Sequence, residues 1–135
     1  MLETLIKLRR KIHQNPEISG EEVETAKSVV QFFFFLNYTA IETQVGGYCI
    51  FVRFGFGKEG KSILIRAELD GLPIQEENDL EHKSILVGKG HQCGHDGHLT
   101  ILSGLGAWLS ENPLKRGKVY LLFQPAEENG EGAKA

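Results

Sequence analysis

The run Ser62-Ile63-Leu64-Ile65-Arg66-Ala67-Glu68-Leu69-Asp70-Gly71-Leu72-Pro73 opens as unbroken apolar sequence and closes on an acidic turn. A continuous apolar start predicts a strand covered on both faces. Its counterpart is Lys118-Val119-Tyr120-Leu121-Leu122-Phe123-Gln124, which reads as another buried strand and runs into Pro125-Ala126-Glu127-Glu128. Between the two, His98, Leu102, Leu105 and Leu109 share one helical face, so a helix is expected from about Asp96 or Gly97 to just before Asn112-Pro113.

Upstream, Leu2, Leu5, Ile6 and Ile12 recur at helical spacing and Asn15-Pro16 supplies a stop, which predicts a helix over 2–14. Ser19-Gly20-Glu21-Glu22 has the form of a capping box, opening a helix whose buried face would be Val23, Ala26, Val30 and Phe33, with Glu24 and Lys27 paired outside. Phe32-Phe33-Phe34-Phe35 covers more than one helix face and marks a helix end packed against other elements or a partner. Ile41–Val45 and Tyr48–Phe54 flank Gly46-Gly47, a two-residue hairpin signal, and Gly55-Phe56-Gly57-Lys58-Glu59-Gly60 ends that hairpin. The loop 74–89 is read as polar. Helix, helix, hairpin, strand, helix, strand is the order of an α/β layered domain: a mixed sheet flanked by helices.

A length of 135 residues fits one domain, and 41% hydrophobic with 24% charged residues is a globular composition. The net charge of −3, with no basic cluster beyond Lys7 to Lys11, argues against a nucleic-acid partner. No stretch is long enough to span a membrane, and the early acidic residue Glu3 does not fit a signal peptide. Cys49 lies in an apolar run and Cys93 among glycines and histidines, which speaks against a disulfide framework and for a reducing, cytoplasmic setting. Cys49 is assigned to the core.

The densest chemistry is Gly90-His91-Gln92-Cys93-Gly94-His95-Asp96-Gly97-His98. In an extended or loop backbone, residues two apart point the same way, so Cys93 and His95 can present sulfur and nitrogen to one cation, with Gly94 leaving room. Gly97 permits close backbone approach before a helix N-terminus that would favour an anionic group. Glu127 and Glu128 follow a strand and point to opposite sides, so one can ligate while the other handles protons. Asp70, closing its strand, is suited to orienting a ligating imidazole, and Glu68 shares its strand face, open to the same site or to a salt bridge. His13 sits near a helix C-terminus, where an imidazolium is favoured, and is read as structural. His91 could contact the site or shape the loop, and His82 reads as exposed.

On these motifs the chain resembles the N-terminal part of the metal-dependent amidohydrolases that include aminoacylases, hippurate hydrolases and auxin-conjugate hydrolases, relatives of the zinc carboxypeptidases with a co-catalytic metal pair. The resemblance runs through Arg10 to Glu17, Arg66 to Pro73, Gly90 to His98 and Gly117 to Gly132. It implies that Cys93 binds or bridges the metal pair, that His95 and Glu128 are ligands, that Glu127 is the general base and that Asp70 is a supporting carboxylate. The chain departs from the common pattern at Glu68, where aspartate is usual, and at Gly90 and Gln92.

The resemblance further implies a partial zinc-peptidase-like catalytic domain over residues 1–135, without the lid or dimerisation domain and the C-terminal catalytic part that bring further histidine ligands. The implied cofactors are two divalent metal ions per complete site, zinc or manganese, with cobalt also accepted. The implied substrate is an N-acyl amino acid or small peptide, cleaved at its amide by metal-activated water. An exposed sheet edge would make the chain a homo-oligomer. Two other readings are a non-catalytic metal-binding or oligomerising domain, and a single structural zinc site using Cys93, His95, His98 and one glutamate.

Overall fold

Each predicted element forms, with small shifts of boundary, in a computed structural model that describes residues 1–55 and 59–134. Helices α1 (Leu2–Gln14) and α2 (Val23–Phe33) precede the hairpin strands β1 (Ala40–Val45) and β2 (Cys49–Phe54). Strand β3 (Ser62–Glu68), helix α3 (His95–Glu111) and strand β4 (Lys118–Gln124) complete the order. The sheet runs β1-β2-β4-β3, antiparallel across β1/β2 and β2/β4 and parallel across β4/β3. It is therefore a mixed sheet, its parallel pair joined through α3.

Period-two alternation on β2 sends Ile50, Val52 and Phe54 into the core, where Ile50 stands opposite Phe123 and Val52 opposite Leu121 of β4. Leu8 and Ile12 of α1, Val29 and Phe33 of α2, and Leu99, Leu102 and Leu109 of α3 belong to the same core. The Phe33 ring meets Phe123 edge-on, with centroids 5.8 Å apart. Helix α3 passes so close to α2 that a Cβ at Gly106 would lie 2.4 Å from a Phe33 ring carbon.

Several expectations change. Ser19 and Glu22 do not form a capping box: Ser19 Oγ donates to Asp70, and the amides of Glu24 and Thr25 bond instead to the Glu17 carboxylate. Two remote acceptors thus outcompete the local pair. The buried face of α2 is Thr25, Ser28, Val29 and Phe33, while Val23, Ala26 and Val30 are half-buried, a rotation imposed by the closeness of α3. The phenylalanine run divides, with Phe33 in the core and Phe34 and Phe35 exposed. The hairpin turn is longer than two residues, because Gln44 is skipped between the pairs Thr43/Ile50 and Val45/Cys49 at a bulge where its φ is +60°.

The reading of β3 as covered on both faces is also corrected. Ile63, Leu64 and Ile65 are 53%, 53% and 38% exposed, because among the described residues β3 is paired only with β4 and lies at the edge of the sheet. Only its end, Ala67 and Glu68, is buried. The loop 74–89 is not uniformly polar, since it exposes Ile74, Leu80, Ile85, Leu86 and Val87. Of the segment expected to end the hairpin, Phe56, Gly57 and Lys58 lie outside the described residues. No helix among the described residues is long and apolar enough to cross a membrane.

Candidate metal centre

Parallel pairing carries β3 and β4 to the same end of the sheet, where the Leu69 amide bonds to the Gln124 carbonyl at 2.9 Å. Asp70 and the segment Pro125–Glu128 therefore emerge side by side, at the carboxyl ends of two parallel strands, where open α/β sheets place ligands. Asp70 is fully buried, and its Oδ2 accepts from the Ser19 hydroxyl at 2.7 Å and the Glu128 amide at 3.0 Å.

His95 opens α3. Gly94 before it has φ of +89°, a left-handed conformation that glycine adopts freely and that turns the chain from Cys93 into the helix. His95 Nδ1 donates to the Asp70 carbonyl at 2.8 Å and stands 3.3 Å from Asp70 Oδ1. Both atoms are acceptors, so this nitrogen carries the proton and Nε2 keeps its lone pair in the neutral ring. Nε2 faces Glu128 Oε1 at 3.6 Å and Glu127 Oε2 at 3.8 Å. One donor atom each from Cys93, His95 and Glu128 lies within 4.8 Å of the others.

The electrostatics are those of a site with excess negative charge. Burial alone would push the His95 pKa down, but its bonds to the Asp70 side chain and carbonyl and the charges of Glu68 and Asp70 raise it to about 9. Burial works against the Asp70 carboxylate too, yet His95, the Glu128 amide and the Ser19 hydroxyl hold its pKa at about 2. The Cys93 thiol is raised, first by its hydrogen bond to Glu128, then by burial and by the charges of Glu128, Glu127 and Glu68. Thiolate, imidazole and carboxylate donors held this way, with the imidazole oriented from behind by an aspartate, fit a divalent transition-metal ion.

Of the residues singled out in the sequence, Cys93, His95, Glu127, Glu128 and Asp70 come together. His98 does not join the cysteine triad; its Nδ1 bonds to Glu68 Oε2 at 2.9 Å, and Glu68 Oε1 accepts from Arg66 at 2.9 Å. His91 is buried, its ring 6.3 Å from that of His13, and neither ring nitrogen has a hydrogen-bond partner among the described residues. Burial first of all brings its pKa down to about 4 and keeps the ring neutral. His82, read as exposed, is half-buried with its ring edge-on to His13 at 5.3 Å. Among the described residues nothing meets a Cβ at Gly97 within 4 Å, so none of them approaches the backbone closely there.

Three functional supports escaped the sequence reading. Buried Glu22 accepts from the Ala126 amide at 2.6 Å and the Gly20 amide at 2.9 Å, bracing the turn that carries Glu127 and Glu128. Buried Asp96, next to His95, accepts from His13 Nδ1 at 2.8 Å and Arg9 at 3.0 Å. The other nitrogen of His13 bonds to Glu76 at 2.9 Å, and Glu76 also accepts from the Ser84 amide at 2.6 Å. The nearest signal was His13 within the motif Arg10 to Glu17, which was read as structural but without partners.

The geometry has counterparts among known proteins. The profile of Peptidase family M20/M25/M40 matches residues 64–135, more than half of the chain. The chain is 44% identical to IAA-amino acid hydrolase ILR1-like 2 of Arabidopsis thaliana over 135 residues, covering 96% of this chain and 29% of that protein. It is 42% identical to N-acetyl-L-cysteine deacetylase of Bacillus subtilis over 134 residues, covering 96% of this chain and 31% of the relative. In structure it resembles the Bacillus subtilis YXEP protein, described as a dinuclear metal binding peptidase from M20 family, with a TM-score of 0.91 and 34% identity over 98% of this chain and 37% of that one. The chain thus spans about a third of the length of the curated relatives it matches. A profile match beginning within β3 and running through both chemical motifs, on a fold superposing this closely, makes the chain a member of Peptidase family M20/M25/M40.

Proposed function

We propose that the chain is the N-terminal, metal-carrying part of the catalytic domain of a metal-dependent amidohydrolase that cleaves the amide of N-acyl amino acids or small peptides. The observation that carries this reading is the convergence of His95 Nε2 on both Glu127 and Glu128 beside Cys93. Cys93, His95 and Glu128 would hold the ion, zinc or manganese, as part of a two-ion site. When bound, such an ion supplies a Lewis acid that lowers the pKa of water and polarises the amide carbonyl.

The remaining work belongs to the chain. Asp70 fixes the His95 ring from behind, so that Nε2, once it gives up its proton, faces the ion without turning of the ring. The Glu127 side chain, 34% exposed, is open to the solvent side of the site, with one oxygen 3.8 Å from His95 and the other 4.0 Å from Arg66. From there it takes the proton of the attacking water and returns it to the departing amine nitrogen. The substrate class is supported by relatives named for hydrolysis of an amino-acid conjugate and for deacetylation of an N-acetyl amino acid. The two free thiols, Cys49 and Cys93, suit a reducing, cytoplasmic compartment.

The test is release of free amine from N-acetyl amino acids and dipeptides by the zinc- or manganese-loaded protein. Glu127→Gln should slow it by about 10²–10⁴-fold, the usual contribution of a general base. An unchanged rate in Glu127→Gln would remove Glu127 from the role of base. A second reading, a metal-binding or oligomerising unit without turnover, is favoured by the sharing of His95 between two ligand groups. Stoichiometric metal uptake with no hydrolysis would establish it.

A further inference from the structure

Glu22 is an acidic side chain with no exposure to solvent, a position that carboxylates almost never hold without partners. Its Oε1 accepts from the Ala126 amide at 2.6 Å and its Oε2 from the Gly20 amide at 2.9 Å. Burial above all pushes the Glu22 carboxyl above its usual range, against the pull of the Ala126, Glu22 and Gly20 amides. Ala126 is itself buried, with φ of +49°, in the left-handed region that disfavours an L-residue. On extended backbone the side chains of Glu127 and Glu128 would diverge. After the turn at Ala126, one oxygen of each stands 3.8 and 3.6 Å from His95 Nε2. The strained residue is what lets two neighbouring carboxylates converge. The connection between α1 and α2 that supplies Glu22 holds the other strand end as well, because the Glu17 carbonyl accepts from the Gly71 amide at 2.7 Å and Ser19 donates to Asp70.

We propose that Glu22 is a positioning residue of the metal centre: its carboxylate pins the left-handed turn at Ala126 and thereby aims Glu127 and Glu128 at the ion. The proposal rests on the reading of Glu127 as base and Glu128 as ligand. Glu22 acts through the backbone and touches neither ion nor substrate. An ionised carboxylate suits this post because it offers two acceptors and no donor, and so takes both amides at once. A carboxamide of the same size sets an NH2 group against one of them.

Amide hydrogen exchange tests the pin with no metal added, on the wild-type chain, Glu22→Met and Glu22→Gln. The reporter is the Glu128 amide, which bonds to Asp70 at 3.0 Å and not to Glu22. Glu22→Met keeps the length of the side chain and removes both acceptors. In it the Ala126 and Glu128 amides should exchange faster by at least about tenfold more than those of β2 and β4, the scale of losing a hydrogen bond to a charged group. Glu22→Gln should show a smaller change in the same direction, and it carries the measurements should Glu22→Met not fold. Acceleration at Ala126 alone, or only in step with β2 and β4, overturns the positioning role. Zinc affinity, from competition with a chromophoric chelator, extends the test to the ion. It should fall by about tenfold in Glu22→Met, the scale of losing a group that orients a ligand, and recover most of that loss on adding Ala126→Gly, because glycine takes the left-handed conformation freely. A loss that glycine does not recover makes Glu22 a support of stability alone and overturns the proposal. An unchanged affinity in Glu22→Met beside a loss in Glu128→Ala also overturns it, while leaving the ligand assignment standing. An unchanged affinity in Glu128→Ala removes that ligand, and the role of Glu22 falls with it.

Discussion

His13 lies between Asp96 and Glu76, with all three side chains buried. Burial pushes its pKa down, but hydrogen bonds to the two carboxylates outweigh that and leave it raised above 6.5. The stabilisation from a protonated His13 is therefore complete below pH 6.5 and fades as pH rises through the raised value. Glu76, held at about 2 chiefly by the Ser84 amide and His13 against its own burial, contributes above pH 4.5 and loses its contribution as pH falls toward 2. His13→Gln should thus cost about 3 kcal/mol in urea unfolding near pH 6, because it leaves buried Glu76 without its cation and buried Asp96 with Arg9 alone. The gap between the two proteins should narrow as pH rises past 6.5. At the metal centre, His95 and Cys93 are both protonated at pH 7, so zinc uptake should release one proton from each. Calorimetry in buffers of different ionisation enthalpy measures that release; none at all would mean that neither residue is a ligand.

The elements carry the strain of close packing. Gly106→Ala puts a methyl group 2.4 Å from the Phe33 ring and 3.1 Å from Leu121, so α3 must move away from α2 and β4. Overpacking of this kind costs about 1–3 kcal/mol, read as a lowered denaturation midpoint. Glu17 caps α2 from outside the helix, bonding to the Glu24 and Thr25 amides at 3.1 and 2.7 Å. Glu17→Ala should cost about 1 kcal/mol, whereas Ser19→Ala should leave the helix intact and act on Asp70 instead. Helical content by circular dichroism distinguishes the two variants. The capping-box signature was legible, but a helix end accepts any carboxylate that reaches it, and Glu17 reaches.

At the scale of the whole molecule, β3 offers an edge unpaired among the described residues, with Ile63, Leu64 and Ile65 exposed. An apolar edge strand is a template for association, and a lysine there is the usual protection. Ile65→Lys should reduce self-association of this chain in analytical ultracentrifugation while leaving its thermal midpoint nearly unchanged, because the side chain is not in the core. A midpoint that drops with it would place Ile65 in an interface required for folding.

Local pattern determined much of this protein. Among the described residues, hydrophobic periodicity marked the helices, while continuous apolar runs and the Gly46-Gly47 turn signal marked the strands. Short-range spacing brought Cys93 with His95 and Glu127 with Glu128, and the strand-ending Asp70 was legible as their support. Tertiary structure alone decided the rest. Asp96 and Glu76 meet His13 across 83 and 63 residues and Glu22 meets Ala126 across 104, so local spacing does not announce these bonds. The apolar run of β3 looks the same whether or not a neighbour covers it, because sequence records the preference for burial and only the assembled sheet supplies the surface that satisfies it.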